Sequence, residues 1–163
     1  MTTIGLLDER LSGSVIGAFF EVYNALGHGF LEHIYKAALE RELVARGHHV
    51  AREVGVIVYY KGEELAKQPL DMLVDDRLII EVKASTDGAD VGSAQLFNYL
   101  RATNLELGLL LSFGRKAFFK RVICSNSSSS TRRARVGRKS DAESDSAPAN
   151  EVSTLKRNTD EGN

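Results

Sequence analysis

The sequence predicts an α/β protein with a central mixed sheet flanked by helices. Three observations lead there. Two segments near the start repeat apolar residues at intervals of three and four, the period of a helix. The pattern then changes to strict alternation and to short aliphatic runs, which are strand signatures. A third helical segment interrupts the strands, giving the order ααβββαββ, and helices interleaved with strands cover a sheet on both faces.

Residues 8–26 carry Leu11, Val15, Phe19, Val22 or Tyr23, and Leu26 on one helical face, with Gly27 as the stop. Residues 31–46 form a second helix on Leu31, Ile34, Tyr35, Ala38, Leu39 and Leu43, ended by a left-handed Gly47. In EVGVIVYY the residues Val54, Val56, Val58 and Tyr60 alternate, and Lys61-Gly62 is a turn. Further strands are expected over about 65–74 and 78–84, joined through Asp75-Asp76-Arg77. Residues 87–103 return to helix, with Asp87 or Asp90 as N-cap. The run LGLLLSF (107–113) has the unbroken apolarity of a strand buried on both faces, and FFKRVI (118–123) reads as an edge strand.

At 163 residues the chain suits one domain rather than two. Residues 1–124 are that domain. From 125 to 163 the sequence turns Ser-rich and charged, with too few apolar residues to offset chain entropy, and is expected to be a disordered tail. Its basic stretch TRRARVGRK would meet nucleic acid or another acidic surface, or simply remain solvated. Residues 1–124 hold 14 basic and 16 acidic groups, a balance that argues against constitutive tight nucleic-acid binding. Any affinity would come from a local patch such as Arg101, Arg115, Lys116, Lys120 and Arg121, or from the tail. The single cysteine, Cys124, excludes an internal disulfide and a thiolate metal site. With no leader pattern and no apolar run long enough for a bilayer, a cytoplasmic protein without membrane contact is expected.

The most informative stretch is QPLDMLVDDRLIIEVKAS (68–85). Strands exclude Asp, Glu and Lys from positions among aliphatics, because a buried charge is costly unless paired or metal-bound. Yet Asp71 precedes Met72-Leu73-Val74, and Glu81 and Lys83 follow Leu78-Ile79-Ile80. Glu81 and Lys83, two apart, share one strand face. A three-residue loop at 75–77 pairs Val74 with Leu78 and Leu73 with Ile79, setting Asp71 opposite Glu81. A two-residue loop would instead send the carboxylates to opposite faces. The three-residue loop makes chemical sense of the pair. Two close carboxylates would otherwise compete for a proton, whereas a hard divalent cation such as Mg²⁺ reconciles them. Lys83 would then orient or deprotonate a water. The competing reading is a surface hairpin with Glu81 and Lys83 facing solvent.

Three motifs in order carry a resemblance. LDMLVDDRLIIEVKA is similar to the D-x(n)-E-x-K core of PD-(D/E)XK nucleases, with Asp71, Glu81 and Lys83 as its members. GFLEHIY (29–35) matches the GxxExxY signature through Gly29, Glu32 and Tyr35. QLFNY (95–99) looks like the QxxxY element beside this core in the exonuclease-like branch. The chain therefore resembles the GxxExxY family of the PD-(D/E)XK nuclease-like superfamily, over about residues 8–123. The resemblance implies a restriction-endonuclease-like αβββαβ core, here with an extra N-terminal helix. It departs in having Leu70, not proline, before Asp71, with Pro69 one place earlier.

By that resemblance, Asp71, Glu81 and the backbone carbonyl of Val82 would hold Mg²⁺ or Mn²⁺, with Glu32 completing the shell, often through water. Lys83 would activate the attacking water and Gln95 would line the site. Tyr99 would support the site or touch the nucleic-acid backbone. Tyr35 and Tyr99 also sit at helical spacing, where aromatics usually pack. The implied activity is metal-dependent phosphodiester hydrolysis on nucleic acid, DNA more than RNA. The alternative is a nuclease-fold binding or regulatory module that cleaves slowly or not at all. The histidines His28, His33, His48 and His49 lack the spacing of a shared zinc site and are expected to be exposed or packing residues.

Overall fold

A computed structural model describes residues 4–85, 87–125 and 136–137. The chain begins with two helices, α1 (Ile4–Leu26) and α2 (Glu32–Ala45). Leu11, Val15, Ala18, Phe19 and Val22 of α1 are buried, as are Tyr35, Leu39 and Leu43 of α2. These are the stripes that the periodicity predicts. Leu31 and Ile34, by contrast, are exposed, because α2 starts only at Glu32 and its first turn projects from the core. The link between the helices needs glycine twice, since Gly27 and Gly29 have φ of 66° and 108°. Gly47, at φ 86°, ends α2 as expected. Its N–H donates to Val44 and that of His48 to Leu43, the paired bonds of a Schellman stop.

Seven strands follow before residue 125: β1 (Val50–Arg52), β2 (Gly55–Tyr60), β3 (Glu63–Pro69), β4 (Met72–Val74), β5 (Leu78–Lys83), β6 (Leu107–Phe113) and β7 (Ala117–Ile123). Helix α3 (Ala89–Ala102) lies between β5 and β6. The order β1-β4-β5-β6-β7 makes the central sheet, and a second sheet has the order β3-β2-β8, where β8 is Val136–Gly137. Strands β5 and β6 run parallel across the α3 crossover, and the other neighbours are antiparallel. The fold is α/β with a mixed central sheet between helices. The sheet buries one face against α1 and α2, through Met72, Val74, Ile80, Val82, Leu109 and Leu111. It buries the other against α3, where Leu73, Ile79 and Leu110 meet Leu96, Tyr99 and Leu100. All seven residues of β6 are buried, as its unbroken apolar run predicts.

Three expectations are corrected. The single strand expected over 65–74 is two strands in different sheets, because the chain bends at Leu70-Asp71. Pro69, which has no N–H to donate, ends β3; Leu70 buries itself in the α3-side core and its N–H bonds to Val54. Strand β1 was not expected, since three residues at a sheet edge leave too little pattern to read. Finally, α3 is capped by Gly88 rather than Asp87 or Asp90, and no side chain bonds its first N–H groups.

Lys61 and Gly62, with φ of 52° and 88°, close the β2–β3 hairpin as expected. The disorder expected for 125–163 lies outside the described residues, apart from Ser125 and the pair Val136-Gly137. Among the described residues no helix is long and apolar enough to cross a membrane.

Candidate functional site

The β4–β5 register decides where the carboxylates fall. Val74 pairs with Leu78, Leu73 with Ile79 and Met72 with Ile80, the pairing that a loop at 75–77 predicts. Glu81 and Lys83 follow on the sheet face towards α3. Glu81 is only 2% exposed, and Lys83 Nζ donates to its Oε1 at 2.6 Å. Burial, aided by the charge of Asp71, pushes the Glu81 carboxyl up against the opposing pull of Lys83. Burial works to lower the Lys83 ammonium, but its bond to Glu81 and the surrounding carboxylates raise it overall. The Lys83 stem lies along the start of α3. A Cβ on Gly92 would stand 3.0 Å from Lys83 Cε and 2.8 Å from Leu110 Cδ1, so glycine leaves the lysine its channel.

Asp71 stands just beyond β4, at the bend. Although its backbone leaves the ladder, its carboxylate returns to the sheet, and Oδ2 accepts the Val82 N–H at 2.8 Å. The other oxygen, Oδ1, accepts from Lys36 Nζ at 2.5 Å. Lys36 comes from α2, and its ammonium also meets Glu32 Oε1 at 3.0 Å, one helical turn away. Burial opposes the Lys36 charge, yet the bonds to Asp71 and Glu32 hold its pKa above the usual lysine value. Glu32 occupies the first turn of α2, where the helix dipole favours a carboxylate.

The remaining motif residues act at one remove. Tyr35 is fully buried; its hydroxyl donates to the Gly27 carbonyl at 2.9 Å and accepts the Phe30 N–H at 3.1 Å. Its ring stacks on Phe113 with centroids 4.3 Å apart. Tyr35 thus fixes the α1–α2 link and, with it, the start of the helix that carries Glu32 and Lys36. Gln95 Nε2 donates to the Tyr99 hydroxyl at 2.7 Å, and that hydroxyl donates to the Pro69 carbonyl at 3.4 Å. The pair therefore ties α3 to the backbone two residues before Asp71.

The fold thus gathers Glu32, Asp71, Glu81 and Lys83 about the C-terminal end of β5, and adds Lys36. Gln95 reaches the same region through Tyr99. Among the described residues no three His, Cys, Asp or Glu side chains close up as a metal cage. Two ammonium groups, Lys36 and Lys83, stand among the three carboxylates Glu32, Asp71 and Glu81. The donor set is nonetheless one of oxygens only, with a cation already seated between Asp71 and Glu32. Such a set suits a hard divalent ion.

Of the four histidines, His28, His33 and His49 are exposed as expected. His48 is different. Its Nε2 lies 2.7 Å from Ser14 Oγ and its Nδ1 2.7 Å from Asp75 Oδ2, while Asp75 Oδ1 accepts the His49 N–H at 2.8 Å. This polar chain pins the β4–β5 turn to α1 and to the segment that follows α2, and so steadies the hairpin that presents the carboxylates. Neither Lys36 nor this chain was apparent in the sequence, because both join residues far apart along it. Of the basic residues suggested as a patch, Arg121 is turned onto Ser12 Oγ of α1.

The family model of the PD-(D/E)XK nuclease superfamily matches residues 9–122. No curated protein matches the chain. Among solved structures the chain is similar to an alkaline exonuclease from Laribacter hongkongensis. The two share 20% identity and a TM-score of 0.38, over 53% of this chain and 52% of that one. The match thus spans about half of that protein's length.

Proposed function

The chain belongs to the PD-(D/E)XK nuclease superfamily, and from that premise we propose that it is a nuclease whose divalent cation is held at the end of β5. The carrying observation is the position of Asp71, fixed by the Val82 N–H and near enough to the buried Glu81 for its charge to act on that carboxyl, which Lys83 pairs. Asp71, Glu81 and the Val82 carbonyl would hold Mg²⁺ or Mn²⁺, with Glu32 joining through water. Bound there, the ion would polarise a phosphate oxygen and lower the pKa of a coordinated water. Lys83, which keeps its proton here, would orient that water and favour its ionisation through its charge. Gln95 and Tyr99 hold the Asp71 segment in place, and Tyr35 holds the start of α2. Within the superfamily we assign the chain to the GxxExxY group on Gly29, Glu32 and Tyr35. We assign it a nucleic-acid substrate, DNA before RNA, and the cytoplasm as its compartment.

A second reading, a module that binds nucleic acid with little or no cleavage, draws support from Lys36, whose ammonium already satisfies Asp71 and Glu32. One experiment separates the two. Mn²⁺ and Mg²⁺ binding is measured by calorimetry for wild type and Asp71→Asn, and supercoiled, linear and single-stranded substrates are then assayed. The nuclease reading expects binding and cleavage in wild type, with both lost in Asp71→Asn and cleavage alone reduced at least about a hundredfold in Lys83→Ala. Absence of metal binding in wild type contradicts it. Binding without cleavage in both wild type and Lys83→Ala favours the module.

A further inference from the structure

We infer that divalent-cation binding at this site is an exchange, in which the ion displaces the Lys36 ammonium from Asp71 and Glu32 and the freed lysine becomes a contact for a substrate phosphate. This rests on the nuclease reading and extends it to a residue outside the D-x(n)-E-x-K, GxxExxY and QxxxY motifs. Two observations carry it. First, Lys36 Nζ lies 2.5 Å from Asp71 Oδ1 and 3.0 Å from Glu32 Oε1, bridging two of the carboxylates that would face the metal. An ammonium and a divalent ion cannot share those oxygens at such distances without strong repulsion. The Lys36 side chain is 18% exposed, so its displacement requires room nearby.

Second, that room exists. Lys36 lines a hollow of about 190 Å³ whose wall also includes Asp71, Glu53, His33, Arg52, Pro69 and Leu70. Cavities that enclose whole small molecules run from about 300 to 1,000 Å³, so this one suits a single group. Lys36, Arg52 and His33 supply hydrogen-bond donors to it, and with the metal balancing Asp71 the carboxylate left among them is Glu53, so a phosphodiester oxygen meets two cationic side chains against one anionic one. Arg52 is steadied at the rim by Glu40, at 3.2 Å. The hollow touches Asp71 directly, so a phosphate seated in it would adjoin the one at the metal. Without metal, Lys36 neutralises the carboxylates. With metal, its charge is released towards the substrate.

The test uses the full chain and Lys36→Met, which keeps the stem and removes the charge, with Lys36→Gln as a second variant. Mn²⁺ affinity is measured by calorimetry, and affinity for a short DNA duplex by fluorescence anisotropy in Ca²⁺. Loss of the competing cation should tighten Mn²⁺ binding about tenfold in both variants. Duplex affinity should fall about tenfold in both, and Arg52→Ala should weaken the duplex while leaving Mn²⁺ affinity unchanged. Mn²⁺ affinity that is unchanged or weaker in both lysine variants overturns the exchange. If wild type binds Mn²⁺ as tightly as they do and Asp71→Asn abolishes binding, the metal site stands and only the exchange falls. If neither wild type nor the lysine variants bind Mn²⁺, both readings fall.

Discussion

Asp71 shows how a residue can be legible in sequence and its setting not. Its position before an aliphatic run, ten residues ahead of Glu81, marks it as a carboxylate of interest. Its fixing by the Val82 N–H depends on a bend that strand patterning does not reveal. Lys36 was illegible for a related reason. One place beyond Tyr35 on an amphipathic helix, a lysine looks like any solvent-facing residue until the fold brings Asp71 to it. Asp75 is a third case, its partners His48 and the His49 N–H lying far away in sequence. Burial works to raise its pKa, but the bonds from His48 and the His49 N–H outweigh it and leave the carboxyl below its usual value. A depressed carboxylate stabilises the fold above its unfolded pKa, and that contribution disappears as pH falls through the folded value. Asp75→Asn, which tolerates the left-handed backbone here (φ 52°), should therefore cost about 1 kcal/mol at neutral pH, the modest worth of a partly exposed charged hydrogen bond. Urea unfolding of the two proteins should converge as the medium is acidified through the carboxylate range. A constant difference at every pH would show that Asp75 acts by packing instead.

At the level of elements, the helices and the buried strands were the most readable parts. Helix α1 repeats its apolar residues over about four turns, and β6 is buried throughout. Strands β1 and β4 have three residues each, too few for a period to establish itself. The split of 65–74 had one local sign, Pro69, which hints at an edge or a bulge without saying where the chain goes next. Helix α3 contributes more than a layer, because its Gly92 gives Lys83 passage across the helix. Glycine within a helix is worth about 1 kcal/mol less than alanine. Overpacking beside Leu110 and Lys83 costs about 1–3 kcal/mol. Gly92→Ala should thus change stability by no more than about 2 kcal/mol, since these terms oppose. The displaced Lys83 should nevertheless lower the cleavage rate by about tenfold or more. Melting curves and single-turnover cleavage separate the two effects, and an unchanged rate would show that Lys83 tolerates the shift.

Over the whole molecule, the α/β class and the mixed sheet followed from the switch between helical and strand periods, and the site from charges placed where strands resist them. The rest depends on tertiary geometry. The sheet's two faces are sealed by different helices: α2 delivers Glu32 and Lys36, while α3 delivers Gln95 and the Gly92 channel. The candidate site residues come together where β5 ends between these layers. The proposed cation is held there by groups from β5, the β4 bend and α2 together. Anomalous diffraction from a crystal grown with Mn²⁺ tests this directly. A peak coordinated by the carboxylates of Asp71 and Glu81 and the Val82 carbonyl is the predicted result, with Lys36 Nζ withdrawn from Asp71. A fully occupied Mn²⁺ elsewhere, with Lys36 still bridging Asp71 and Glu32, would contradict it.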